Sequence, residues 1–123
     1  SNPNAIELLK SNQDKINWKQ LSKNPNAIKL LEKNQDKINW NMLSLNSNSN
    51  AIKLLEKNQD KINWYYLSAN PNPNAIKLLE KNPDNIDWKM LSLNPNAIKL
   101  LEKNQDNINW ERLSSNPAIF KAK

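Results

Sequence analysis

Five aspartates recur along the chain at Asp14, Asp36, Asp60, Asp84 and Asp106, and five serines at Ser22, Ser44, Ser68, Ser92 and Ser114. Carboxylates could act as general acid and base, and a serine could act as a nucleophile. Both chemistries need unlike groups converging on one point. Here each group is copied once per repeat, and the chain has no His to activate a serine. A residue copied in this way serves the frame. We therefore assign the aspartates to helix capping and expect no catalytic residue. The pair Asp84 and Asp87 is unlike the rest, but Asp87 stands where the other repeats have Asn before Trp. With neither His nor Cys present, the usual ligands of a transition metal are missing, and we expect no metal and no cofactor.

Recognition is the other chemistry these residues could perform. Trp18, Trp40, Trp64, Trp88 and Trp110 could form a stacking platform for bases or sugars, each stacked base being worth roughly 1–3 kcal/mol. Trp three residues from Leu on a helix reads instead as core, and that is the reading we adopt. Lys29, Lys53, Lys77 and Lys99, flanked by Lys33, Lys57, Lys81 and Lys103, would form a ridge able to track phosphates. Glu32, Glu56, Glu80 and Glu102 lie three residues on and neutralise much of it. The net charge of +6 is spread at about one positive charge per repeat and reads as a solvated surface.

The informative positions are those that differ between otherwise alike repeats. After each Trp come Lys19-Gln20, Asn41-Met42, Tyr65-Tyr66, Lys89-Met90 and Glu111-Arg112. Repeat proteins use variable positions on one surface for binding. Aromatic residues, Met and Arg are enriched at interfaces. The candidate binding residues are therefore Lys19, Asn41, Met42, Tyr65, Tyr66, Lys89, Met90, Glu111 and Arg112. A protein partner is the first expectation. A nucleic acid is the second, and end-to-end self-association the third.

These residues are held by a repeated phrase, NPNAIKLLEKNQDKINW followed by two variable residues and LS. The Ala-Ile pair recurs at Ala5, Ala27, Ala51, Ala75, Ala97 and Ala118, at steps of 22, 24, 24, 22 and 21 residues. Self-similarity at such a period marks an array of stacked units sharing one core. The units run over about 2–23, 24–47, 48–71, 72–93 and 94–115, with a truncated stub at 116–123. The expected fold is all-α: a solenoid of five two-helix repeats, each an α-helix plus a short α- or 3₁₀-helix. In the second unit Asn24 suits the N-cap and Pro25 the first helical position. Ala27, Ile28, Leu30 and Leu31 make one apolar face, and Asn34 closes the helix. Asp36 is expected to cap a turn, and a second short helix spans about Asn39 to Leu45. The two longer units gain their extra pair between helices, where insertions belong. Stacked units should align columns of Leu, Ile and Trp, with Asn ladders at the turns. The chain has 25 Asn and no Gly, so Asn is expected to make the left-handed turns that Gly usually makes.

The ends differ. The first helix opens without a polar cap, its outer side shielded by Glu7 and Lys10 at most. The last phrase, NPAIFKAK, reads as a shortened helix with Phe120 closing the core, so the C-terminus reads as capped. No apolar run approaches the ~20 residues that span a bilayer, and no signal pattern opens the chain. The expected setting is intracellular.

The phrase NPNAIKLLEKN-DKINW--LS, ended by NPAIF, resembles repeats in uncharacterised proteins of large DNA viruses that infect protists and algae. The resemblance covers nearly the whole chain and implies a viral protein acting in a host cytoplasm. It implies no activity. The repeat is also loosely similar to leucine-rich variant repeats, which implies an α-helix alternating with a 3₁₀-helix in a right-handed superhelix.

Overall fold

The computed structural model describes residues 16–120, with Phe120 described in its backbone only. The opening expectations for Glu7, Lys10 and Asp14, and that for the Phe120 side chain, lie outside the described residues. The described chain is all-helical, with no strand. Its α-helices, in order, are α1 (Trp18–Ser22), α2 (Ile28–Lys33), α3 (Trp40–Leu43), α4 (Ser49–Lys57), α5 (Trp64–Ser68), α6 (Pro73–Glu80), α7 (Trp88–Leu91), α8 (Ile98–Lys103) and α9 (Trp110–Leu113). Helices this short do not stand alone in water. Packing holds them: α2 lies against α4, α4 against α6, α1 against α3, and α5 against α7. The apolar face Ala-Ile-x-Leu-Leu is buried in the units of Ala27, Ala51 and Ala75, while Ile98 of the last is only partly covered, and Leu43, Leu67 and Leu91 of the second helices join the same core.

The repeats described from Asn24 on hold more than two elements. A separate 3₁₀ turn sits between the helices, at Gln35–Lys37, Gln59–Lys61, Pro83–Asn85 and Gln105–Asn107. The second helix is α-helical and shorter than expected, covering Trp40–Leu43 where we expected Asn39 to Leu45. Ile38 is the reason for the split. It leaves the helical region, at φ −64° and ψ 132°, and drops its side chain into the core between turn and helix.

The assignment of the aspartates to capping is corrected. Asp36, Asp60, Asp84 and Asp106 lie exposed within the 3₁₀ turns, and no side chain caps those turns. The capping residue is the one before each Trp. Asn39 Oδ1 accepts the Met42 N–H at 3.1 Å, and Asn63 Oδ1 accepts the Tyr66 N–H at 3.0 Å. Asp87, dismissed above as a replacement, is a true cap: its Oδ1 accepts the Met90 N–H at 3.0 Å.

The role of Asn is corrected too. No described residue has a positive φ. Asn34 sits at φ −133° and ψ 50° and closes α2 with its side chain, donating from Nδ2 to the Leu30 carbonyl at 2.9 Å. Asn58, Asn82 and Asn104 do the same one repeat on. Among the described residues, amide hydrogen bonds, not left-handed backbone, replace Gly.

Connection length sets where the first helix begins. In the short connection Asn24 alone leads into Pro25–Ala27, a 3₁₀ turn, and α starts only at Ile28. In the long ones Asn46 and Asn70 end one unit while Asn48 and Asn72 cap the next, and α starts at Ser49 and Pro73. A 3₁₀ turn rises ~2.0 Å per residue against ~1.5 Å in an α-helix, so it spans the gap with fewer residues.

Candidate functional site

Two rows of fixed polar residues hold neighbouring units together. The first is serine. Ser22 Oγ donates to the Trp18 carbonyl at 2.6 Å and accepts the Asn39 N–H from the next unit at 2.9 Å. Ser44, Ser68 and Ser92 repeat this with the N–H groups of Asn63, Asp87 and Asn109, each at 3.0 Å. These four hydroxyls are buried. They are structural links between neighbouring units.

The second row is the expected Asn ladder. Asn46 Nδ2 donates to the carbonyls of Ser22 and Asn24, at 3.0 and 3.1 Å. Asn70 donates to Ser44 and Asn46, Asn94 to Ser68 and Asn70, and Asn116 to Ser92 and Asn94. Each Oδ1 also accepts the N–H two residues on. Among the described residues no buried side-chain polar atom lacks a partner. A buried amide is tolerated only on those terms.

This frame leaves one face variable. The second helices are so short that the two residues after each Trp fall on their outer side. Lys19, Asn41, Tyr65, Lys89 and Glu111 are exposed in every unit. Met42, Tyr66 and Met90 are half-buried, while Arg112 is exposed, as is Gln20 beside Lys19. The structure thus brings the candidate residues onto successive second helices. Tyr65 and Tyr66 meet edge to face, with ring centroids 5.4 Å apart. Tyr65 remains 49% exposed. Asn41 is partly committed, accepting from Asn63 Nδ2 at 3.2 Å.

The tryptophans are corrected from core to rim. Trp18, Trp40, Trp64 and Trp88 are partly buried against the core, and Trp110 is 61% exposed. Lys37 Nζ lies 5.8 Å from the Trp18 ring centroid and Lys61 Nζ 5.0 Å from that of Trp40, each lysine coming from the following unit. Those ring faces, the ones a base would stack on, already carry a cation. Asn85 and Asn107 replace the lysine in the later units, so Trp64 and Trp88 have no such cover.

Two hollows lie on the described surface. One groove of about 380 Å³ between α6 and α8 is lined by Ile76, Lys77, Glu80, Lys99 and Lys103 among others. Lys103 Nζ lies 3.8 Å from Glu80 across it, so part of its positive charge is met. The other, of about 210 Å³, lies at the last unit and is almost wholly apolar, with Ile98, Leu101, Ile108, Trp110, Leu113 and Ile119 in its walls. Ile108 and Leu113 are only partly covered there, whereas their counterparts Ile86 and Leu91 are buried.

The described residues hold no cluster of acids able to bind a metal ion. No described helix is long and apolar enough to cross a membrane. No family model, curated protein or solved structure matches the chain.

Proposed function

We propose that the chain is a solenoid of five short repeats and a non-enzymatic scaffold that holds a protein partner on the face of its second helices. One observation carries this reading. Tyr65, 49% exposed and in edge contact with Tyr66, stands out from a frame whose other central aromatics, Trp40, Trp64, Tyr66 and Trp88, are half-buried. An exposed aromatic flanked by half-buried Met42, Tyr66 and Met90 gives a rigid anchor with an adaptable border, the make-up of a protein-binding hot spot. The charged positions at either end, Lys19, Lys89, Glu111 and Arg112, form the polar rim.

The test is selection of binders from a random peptide library against the intact chain, followed by Tyr65→Ser with Tyr66→Ser. The double variant keeps the thermal midpoint of the parent and loses at least tenfold in affinity for the selected peptides. Equal affinity in the double variant overturns the reading. So does tight binding of oligonucleotides that survives physiological salt, because that points to phosphate recognition instead.

A further inference from the structure

The groove of about 380 Å³ between α6 and α8 takes one face from each helix at helical spacing. Ile76, Lys77 and Glu80 come from α6, and Lys99, Leu100 and Lys103 from α8. Connection length opens it. In the repeated phrase Pro73 corresponds to Ser49 one unit earlier and to Pro95 one unit later. Helix α6 starts at Pro73, whereas α8 starts only at Ile98. The first turn that residues 73–75 give α6 therefore has no α-helical counterpart in α8. At the preceding junction both helices have that turn, and Ser49 Oγ ties it down by accepting from the amides of Asn72 and Asn74, each at 3.1 Å. Pro73 has no hydroxyl to offer, and Asn96 donates its amide to the Pro71 carbonyl. Ile76 is left 8% exposed at the groove floor, where Ile52 is fully buried.

The lining has two characters. Ile76 and Leu100 make an aliphatic floor, and the methylene stems of the lysines extend it. The rim carries three ammonium groups, on Lys77, Lys99 and Lys103, against the one carboxylate of Glu80. Among the described residues neither Lys77 nor Lys99 has an acidic partner within 4.0 Å. Lys103 and Glu80 do pair, at 3.8 Å, but both side chains are exposed, so the pair is weak and exchangeable.

We propose that this groove docks an acidic segment of another protein, one in which carboxylates alternate with aliphatic side chains. Charge complementarity selects the carboxylates, which meet Lys77, Lys99 and, by exchange with Glu80, Lys103. The floor selects the aliphatic side chain, which lies on Ile76 and Leu100. A nucleic acid fits this lining poorly, because no aromatic ring is there to stack on a base and no Arg to fork a phosphate. The groove is built from first helices, whereas Tyr65 stands on a second helix, so either surface can fail without the other.

The test is fluorescence anisotropy at physiological salt. A short labelled peptide of alternating Glu and Leu is titrated with the intact chain, beside an all-Glu peptide and a dT oligonucleotide of equal charge. The alternating peptide binds, and the other two bind more weakly by about tenfold or more. Lys77→Gln with Lys99→Gln weakens the alternating peptide about tenfold or more, the loss of two charge-assisted contacts. Lys29→Gln with Lys53→Gln, the same change of charge outside the groove, leaves its affinity within about twofold. Inserting Asn-Pro between Pro95 and Asn96 copies the connection from Asn70 to Pro73 and gives α8 its first turn. That variant loses the peptide as well, with every lysine kept. Tyr65→Ser with Tyr66→Ser binds it as the parent does. Thermal midpoints close to the parent's show that the variants fold, and Lys77→Met with Lys99→Met replaces either groove variant that does not. No binding of the alternating peptide into the millimolar range overturns the proposal. So does equal binding of the all-Glu peptide or the oligonucleotide, which shows charge alone at work. Unchanged affinity in either groove variant, or an equal loss in the Lys29 and Lys53 variant or the tyrosine variant, places the contact elsewhere and overturns it too.

Discussion

Removing one rung of the Asn ladder measures what joins the units. Asn70 is fully buried, and its side chain makes three hydrogen bonds: to the Ser44 carbonyl at 3.0 Å, to the Asn46 carbonyl at 2.9 Å, and from the Asn72 N–H at 3.0 Å. Asn70→Leu keeps the approximate volume and removes all three. Each bond contributes ~1 kcal/mol net, and a buried backbone group left without a partner costs ~1–3 kcal/mol. The loss should therefore be about 3–5 kcal/mol. At about 4 °C per kcal/mol for a chain of this size, the midpoint should fall by roughly 10–20 °C. Asn74→Leu is the control, because Asn74 is exposed and its amide reaches only Ser49 Oγ at 3.1 Å. It should change stability by less than about 0.5 kcal/mol. Thermal and urea unfolding give the two values. Hydrogen exchange gives a second readout: the Asn72 amide should lose protection in Asn70→Leu. If Asn70→Leu costs no more than Asn74→Leu, the ladder does not hold the units.

Asp87→Asn should be neutral within about 0.5 kcal/mol and Asp87→Ala should cost ~1 kcal/mol, since either amide or carboxylate oxygen caps α7. Asp60→Ala should lie within about 0.5 kcal/mol of the parent by urea unfolding, because that carboxylate caps nothing. Trp64→Ala should cost about 2 kcal/mol, below the ~3–5 kcal/mol of a fully buried Trp, because the ring sits at the rim. Lys61→Gln should cost ~0.5–1 kcal/mol through the lost cation–π contact with Trp40, and Asn85→Lys should regain a similar amount over Trp64 by thermal unfolding.

The helical class, the apolar face of Ala27, Ile28, Leu30 and Leu31, and the placement of the insertions were legible in the sequence. Periodicity reports them directly, because helical spacing and burial impose the same pattern. The capping residue was misplaced because Asp36 and Asn39 both suit an N-cap, and only the backbone break at Ile38 decides between them. The rim position of Trp was missed for a related reason: spacing from Leu puts both on one side of a helix but does not say how far across the core that side reaches. In the variable pairs on α3, α5 and α7 the first residue is exposed and the second, Met42, Tyr66 or Met90, is half-buried, a difference that sequence variation alone does not report. The serine row was not legible as an interface. Its signal was present, a Ser four residues after every Trp, but its second partner lies 17 or 19 residues away and appears only when units stack.

The split of duties between Asn46 and Asn48 has a consequence for how such a chain changes length. Asn46 keeps the unit-to-unit bond at the same place whether 22 or 24 residues separate successive Ala-Ile pairs. A two-residue insertion is absorbed entirely in the lead-in to the next helix, which winds an extra α-helical turn. A deletion is absorbed by the 3₁₀ turn at Pro25–Ala27. Small insertions and deletions at this point therefore alter one surface of one unit and leave every other unit in phase. The junction is a tolerant splice site, the natural place to lengthen, shorten or tag the array without disturbing its neighbours.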